Sequence, residues 1–395
     1  MPDPVLSHRL DQAVTDLEHA LVALSLDLHA HPELSLQEIR SSDRLRRLLE
    51  AEGFRVETGT AGLPTAFIAR RSGTGPGPRV AFLAEYDALP GIGHACGHNL
   101  IAAAGTGAGM ALGRLMDTLA GEVLVMGTPA EETLGGKCLM VREGCFRDVD
   151  AALMVHPGSE WRVQTDSLAC ISLEVVFTGR EAHAVAWPEK GINALDALIQ
   201  LFIAVEMMRK RMGSGVRLPG VILEGGTRPN IVPARAVGHF SLRAPDSPAR
   251  DRVREEFERT ARGIAAATGC AVHVQPTDEP YDDMVTSSTL AALFEAHLRS
   301  LGVEPVTGPR PNKGSLDMGN VSRVVPSLHP FMAICDPGVP SHSEAFARAA
   351  ASPRAATAMI AAVRSLARTG LDLLCDPSVA RRAREELAAL GAPRG

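Results

Sequence analysis

Leu10, Val14, Leu17, Leu21, Leu24 and Leu28 recur at alternating spacings of four and three, which draws one apolar stripe and predicts helix through the first forty-odd residues. Ser35 and Glu38 have capping-box spacing, and Leu45, Leu48 and Leu49 continue a second helix up to Gly53. The Gly/Pro-rich stretch Arg71–Pro78 then predicts a link between strands around 65–70 and 79–84. Three short apolar runs follow, Val80–Ala84, Val123–Met126 and Ala151–Val155, with helix-like segments between them. That alternation predicts a parallel or mixed sheet covered on both faces.

The pattern changes near residue 170. Cys170–Thr178 reads as a strand, 191–210 as a helix, 219–224 and 235–243 as strands, 247–268 as a helix and 271–275 as a strand. This β-α-β-β-α-β order is the ferredoxin-like one. The expected organisation is therefore an α/β domain made of residues 1–170 and 283–395, with a smaller α+β domain, 171–282, inserted into it. The last segment reads as mostly helical, with Pro353 and Asp376-Pro377 at helix starts.

Composition narrows the functional classes. A net charge of -6 with no basic stripe excludes a nucleic-acid binder. No apolar run approaches the length of a membrane span, and the polar N-terminus shows no signal peptide. Seven cysteines, an odd number at irregular spacing, fit a reducing compartment better than a disulfide framework, so a cytoplasmic location is expected.

The chemistry gathers at the ends of the apolar runs, where open α/β sheets bind their ligands. After the first run come Glu85, Asp87 and then Cys96-Gly97-His98. After the second come Glu131 and Glu132, and the third ends at His156. A thiolate and an imidazole two residues apart can converge on one transition-metal ion. Adjacent carboxylates at a strand end point in different directions, so one can bind metal while its neighbour takes a proton from water. With His342 in Pro340-Ser-His-Ser-Glu-Ala-Phe346, residues Cys96, His98, Glu132, His156 and His342 supply S, N and O donors for one or two ions. Such donors select Zn or Mn, with Co or Ni possible, over Mg or Ca. Asp87 and His94 lie close enough in sequence to orient these ligands by hydrogen bonds. The remaining histidines His8, His19, His239, His273 and His297 fall in helix or strand patterns and read as surface or core residues.

Several motifs resemble the aminoacylase and glutamate-carboxypeptidase-like metallopeptidases, in particular their amidohydrolase branch. They are His29-Ala-His-Pro-Glu-Leu-Ser35, Asp87-Ala-Leu-Pro90, Gly93-His-Ala-Cys-Gly-His-Asn99, Pro129-Ala-Glu-Glu132, Gly179-Arg-Glu-Ala-His-Ala184, Arg228-Pro-Asn-Ile-Val-Pro233 and Ser341-His-Ser-Glu-Ala-Phe346. The variants Leu83-Ala-Glu-Tyr-Asp-Ala-Leu-Pro90 and Lys313–Ser322 are similar to the aminobenzoyl-glutamate hydrolase and dipeptidase-like sub-branch. Leu316 stands where that family usually has Thr. The resemblance implies a metallopeptidase-like catalytic domain with an inserted lid and dimerisation domain. It implies two divalent metal ions on Cys96, His98, Glu132, His156 and His342, and Glu131 as general base. His183 would polarise the scissile carbonyl, while Asn230 and Arg243 would contact the substrate carboxylate or the oxyanion. The expected reaction is hydrolysis of an amide in an N-acyl amino acid, an aminobenzoyl-glutamate-like molecule or a dipeptide, by a homodimer or higher homo-oligomer. Two alternatives use the same residues: hydrolytic deamination of an aromatic amine, and ligand binding without catalysis.

Overall fold

The computed structural model describes residues 3–308 and 313–391. These divide into two compact units. One comprises residues 3–166, 284–308 and 317–391, and the other 167–283 with 313–316.

The larger unit opens with α1 (Pro4–Ala30), capped by Asp3, whose carboxylate accepts from Val5 N. All six residues of the apolar stripe are buried, against α3 (His98–Gly113) and α10 (Pro353–Cys375). The helix ends at Ala30, short of the expected forty-odd residues, and Pro32 follows in an irregular link. The capping box does not form. α2 (Ile39–Ala51) has Glu38 at its cap with no side-chain bond, and the Glu33 carboxylate accepts from Arg40 N and Ser41 N instead. Ser35 and Glu38 are used elsewhere.

Next come β1 (Arg55–Thr58), β2 (Phe67–Ser72), β3 (Arg79–Ala84), β4 (Glu122–Gly127), α4 (Gly136–Arg142), β5 (Ala151–Leu153) and β6 (His156–Gly158). The sheet runs β1-β2-β4-β3-β5-β11, where β11 is Ser327–Leu328. β3, β4, β5 and β11 are parallel, and β1 and β2 pair antiparallel at one side, so the sheet is mixed. The three apolar runs are its central strands, buried on both faces. Every residue of α3 is buried. Gly105 lets this helix lie directly on β3, because a Cβ there would come within 2.2 Å of Leu83 O.

The inserted unit contains β7 (Ala169–Thr178), α5 (Ala194–Arg211), β8 (Gly220–Glu224), β9 (Arg235–Ala244), α6 (Ser247–Thr268) and β10 (Ala271–Pro276). Its sheet is antiparallel in the order β10-β7-β9-β8. Alternate residues of β7, Ile171, Leu173, Val175 and Phe177, enter a core with α5 and α6. The period-two alternation is what a sheet covered on one face requires.

The chain then adds α7 (Ser288–Ser300), α8 (Met318–Ser322), β12 (Phe331–Ala333), α9 (Glu344–Ala350), α10 and α11 (Pro377–Ala389). The short strands β11 and β12 interrupt a segment whose pattern predicts mostly helix. They pair with β5 and β6 and bring His329, between them, beside His156 with ring centroids 5.5 Å apart. No helix among the described residues is long and apolar enough to cross a membrane.

Candidate metal centre

Cys96 and His98 are aimed by the glycine between them. Gly97 has φ +81°, and a Cβ there would meet Pro157 Cγ at 2.7 Å, so this tight entry into α3 requires glycine. His98 opens α3 fully buried. Its Nδ1 lies 2.9 Å from Asp87 O and 3.0 Å from Asp87 Oδ1, which places the proton on Nδ1 and leaves Nε2 as a lone-pair donor. His156 is oriented the same way: Nδ1 donates to Pro157 O at 2.7 Å, and Nε2 sits 3.5 Å from Cys96 Sγ.

The paired carboxylates leave β4 through a strained turn. Ala130 has φ +61°, and its N–H donates to Glu38 Oε1 at 3.0 Å. Glu132 N donates to Asp87 Oδ2, which also accepts from Ser35 Oγ. Asp87 therefore ties two expected ligands together through one carboxylate. His342 is likewise in the left-handed region, φ +61°, and its N–H donates to Ala95 O. Its Nε2 is 3.5 Å from Glu132 Oε1. All five expected metal ligands and Glu131 thus converge.

They do so in three overlapping sets, Cys96–His98–His156, Cys96–Glu132–His342 and His98–Glu131–Glu132. Within each set the donor atoms lie within 4.8 Å of one another. Several polar atoms here are buried with no hydrogen-bond partner among the described residues: His98 Nε2, Glu132 Oε1 and, beside them, Glu85 Oε2. Buried polar atoms left in this state are costly unless something else binds them. The electrostatics agree. Burial, together with Glu85, Asp317 and Glu132, pushes the Glu131 carboxyl well above the usual carboxylate range. Burial pushes the Cys96 thiol up to about 12. Burial works against a charge on His98, yet Cys96, Asp87 and Glu85 hold its pKa well above the imidazole range. A site this rich in anionic donors needs added positive charge, and the mixed S, N and O set fits divalent transition metals.

His94 is buried and stacks on His29 at 6.2 Å. Burial, with His98 and His29, lowers its pKa to about 3. His183, Asn230 and Arg243 belong to the inserted unit. His183 Nδ1 accepts from Val185 N and Ala186 N, leaving Nε2–H free to donate. Ala184 N donates to Asn230 O, tying the His183 and Asn230 loops together. Arg243 lies on β9 with Nη1 3.4 Å from Ser315 Oγ.

Residues that sequence reasoning missed surround the convergence. Lys137 is fully buried between Glu85 and Asp317, Glu38 holds the Ala130 turn, and His329 packs on His156. Asp317 lies in the Lys313–Ser322 motif and Glu85 at a strand end, but nothing in the sequence marks them as partners of one lysine.

A mixed sheet with catalytic-type residues at its strand ends and a ferredoxin-like insertion defines a metallohydrolase architecture. The chain belongs to the peptidase family M20/M25/M40, whose family model matches residues 81–374, and it is a hydrolase of carbon–nitrogen bonds. It is 34% identical over 400 residues to a mouse (Mus musculus) Xaa-Arg dipeptidase, covering 97% of this chain and 92% of the relative. It is 32% identical over 309 residues to one of the polypeptides of the p-aminobenzoyl-glutamate hydrolase of Escherichia coli K12, covering 73% of this chain and 64% of that relative. These are the two kinds of relative to which the motifs pointed. Among solved structures, a dinuclear metal-binding peptidase of the M20 family from Bacillus subtilis shares the fold with a TM-score of 0.69 at 24% identity, over 91% of this chain and 99% of the other.

Proposed function

We propose that the chain is a two-metal amidohydrolase that cleaves dipeptides or aminobenzoyl-glutamate-like amides bearing a free carboxylate. The observation that carries this reading is the convergence of Cys96, His98, His156, Glu132 and His342 in overlapping donor sets, residues that would hold divalent ions through S, N and O donors. The relatives' activities on Xaa-Arg dipeptides and on p-aminobenzoyl-glutamate support the substrate class.

Bound ions would polarise the scissile carbonyl and make water acidic enough to attack at neutral pH. Glu131 accepts the proton of the attacking water and hands it to the leaving amine nitrogen. Asp87 and Pro157 O keep His98 and His156 in the tautomer that presents Nε2. The resemblance gives His183, whose Nδ1 accepts two backbone N–H groups, the role of a donor to the oxyanion, and Asn230 and Arg243 that of contacts to the substrate carboxylate or the oxyanion.

The inserted unit is well suited to pairing with a second copy. β8 is an edge strand with Val221, Ile222 and Leu223 52%, 42% and 60% exposed. Ile199, Ile203 and Met207 form an exposed stripe at four-residue spacing on α5. A homodimer through this edge would cover both.

The test is a hydrolysis screen of Mn- and Zn-loaded protein against dipeptides, N-acyl amino acids and aminobenzoyl-glutamate, with ammonia release followed in parallel. Amide cleavage that Glu131→Gln abolishes while both ions stay bound is the expected result. Ammonia release without amide cleavage, or normal turnover in the metal-loaded Gln variant, refutes it.

A further inference from the structure

The ammonium of Lys137 is completely enclosed. Nζ donates to Glu85 Oε1 and, at 2.8 Å, to Asp317 Oδ1. Asp317 Oδ2 accepts the backbone N–H of the same lysine at 3.0 Å, so one carboxylate grips both ends of Lys137. The three residues join the start of α4, the residue after β3 and the residue before α8. They sit far apart in sequence and meet only here.

A buried ion pair of this kind is a poor way to gain stability. Removing three charges from water costs roughly what their attraction returns, and apolar side chains of the same volume serve a core as well or better. The arrangement makes more sense by what it does to Glu85. With Oε1 anchored on the lysine, Oε2 is directed to 3.4 Å from His98 Nε2, the nitrogen that faces the other donors. Glu131 Oε2 and Glu132 Oε1 approach the same nitrogen at 4.0 and 3.8 Å. Glu85 Oε2 has no hydrogen-bond partner among the described residues. His98 is thus flanked on both sides: Asp87 holds Nδ1 directly, and Glu85, held by Lys137, stands at Nε2. Four carboxylates would repel one another across this wall without a fixed cation, and Lys137 is the cation built into it.

Resting on the metal-centre reading above, we propose that Lys137 is a positioning residue: anchored by Asp317, it fixes the Glu85 carboxylate beside His98 Nε2, so that the His98 side of the centre is assembled before an ion arrives. It acts through Glu85 and touches neither substrate nor the donor atoms themselves.

The experiment compares Lys137→Met, Glu85→Gln and the double variant with the wild-type full chain. It measures Zn and Mn affinity by chelator competition, urea unfolding of the metal-free proteins, and kcat and KM after metal loading. Each single variant is expected to weaken one of the two ion-binding steps by about 10–100-fold, the usual effect of removing a group that orients a ligand. KM should stay within about twofold. The double variant should bind no worse than Glu85→Gln alone, because Lys137 acts only through that carboxylate. A lysine that merely supported the core would move the unfolding midpoint and leave ion affinity alone. Wild-type affinity in a folded Lys137→Met protein overturns the proposal, and so do losses that multiply in the double variant. If Lys137→Met does not fold, Glu85→Gln decides, since it leaves the Lys137–Asp317 pair intact: wild-type ion affinity there overturns the proposal. A wild-type chain that takes up no ion strikes the metal reading itself rather than the role of Lys137 within it.

Discussion

Asp87→Asn isolates how much the centre depends on one carboxylate, since it keeps the shape and changes only charge and donor pattern. Asp87 is 1% exposed and receives three donors: Ser35 Oγ at 2.8 Å, Glu132 N at 3.0 Å and His98 Nδ1 at 3.0 Å. Asparagine has one oxygen for them. If its amide NH2 faces Ser35 and Glu132 N, the Ser35 hydroxyl can turn to accept but Glu132 N–H is left donor to donor. If it faces His98, the imidazole must move its proton to Nε2 and ceases to be a ligand. Leaving one buried donor unpaired costs about 1–3 kcal/mol. The depressed pKa of the same carboxyl leads to a similar figure. Burial raises the Asp87 pKa, but His98, Glu132 N and Ser35 together hold it down to about 2, from an ordinary 3.8. At 1.36 kcal/mol per pH unit that is about 2 kcal/mol of stability for the metal-free protein at neutral pH. The sign follows from the depressed value. The contribution is full above 3.8 and disappears as pH falls through about 2, so wild type and variant should converge there. The assay is urea unfolding in the presence of chelator, paired with a Zn competition titration. We expect a loss of about 2 kcal/mol and ion affinity about 10–100-fold weaker. A variant with wild-type stability and wild-type affinity would refute the account of Asp87 as the common support of His98 and Glu132.

Three further outcomes can be checked. Gly97→Ala must place a side chain at φ +81° and against Pro157, so it should cost about 1–3 kcal/mol in thermal unfolding and lower ion stoichiometry. Burial raises the Glu38 pKa from 4.5 to about 7, so the native state holds this proton more tightly than the unfolded chain and loses stability as pH rises between those values. Glu38→Gln should therefore gain on wild type across that window by up to about 3 kcal/mol, read as a flatter unfolding curve against pH; a constant difference would contradict the assigned cause. Ile203→Asp with Leu223→Lys should convert a dimer to monomers in analytical ultracentrifugation without changing the far-ultraviolet circular dichroism, and an unchanged sedimentation coefficient would exclude this edge.

The fold was legible where periodicity is local. The stripe from Leu10 to Leu28, the three apolar central strands and the alternation in Cys170–Thr178 each carry their own burial pattern, so strands and helices could be placed within a few residues. The convergence of Cys96, His98, Glu132, His156 and His342 was anticipated for another reason: Cys, His and Glu at strand ends are chemically conspicuous wherever they stand. What escaped was everything that acts through a partner distant in sequence. Ser35 and Glu38 have the spacing of a capping box, yet their side chains reach Asp87 and Ala130 N, 52 and 92 residues away. Lys137 meets Asp317 across 180 residues, and a lysine after two glycines carries no mark that distinguishes a buried ion pair from a solvated helix start. His94, beside the metal motif, reads in sequence as an orienting group, and in the fold its ring stacks on His29. Proximity in sequence was thus informative for Cys96 and His98, which share a turn, and for Asp87, and silent about Ser35, Glu38, Lys137 and Asp317. Those supports come from the segment leading into α2, from α4 and from the residue before α8, stretches whose own patterns say only that they pack. The consequence is that the turn carrying Glu131 and Glu132 is defined from outside. Ala130 keeps φ +61° because Glu38 accepts its N–H, and Glu132 keeps its direction because Asp87 accepts its own. Substitutions in the 29–38 segment should therefore perturb ion binding although no residue there offers a donor to the three converging sets.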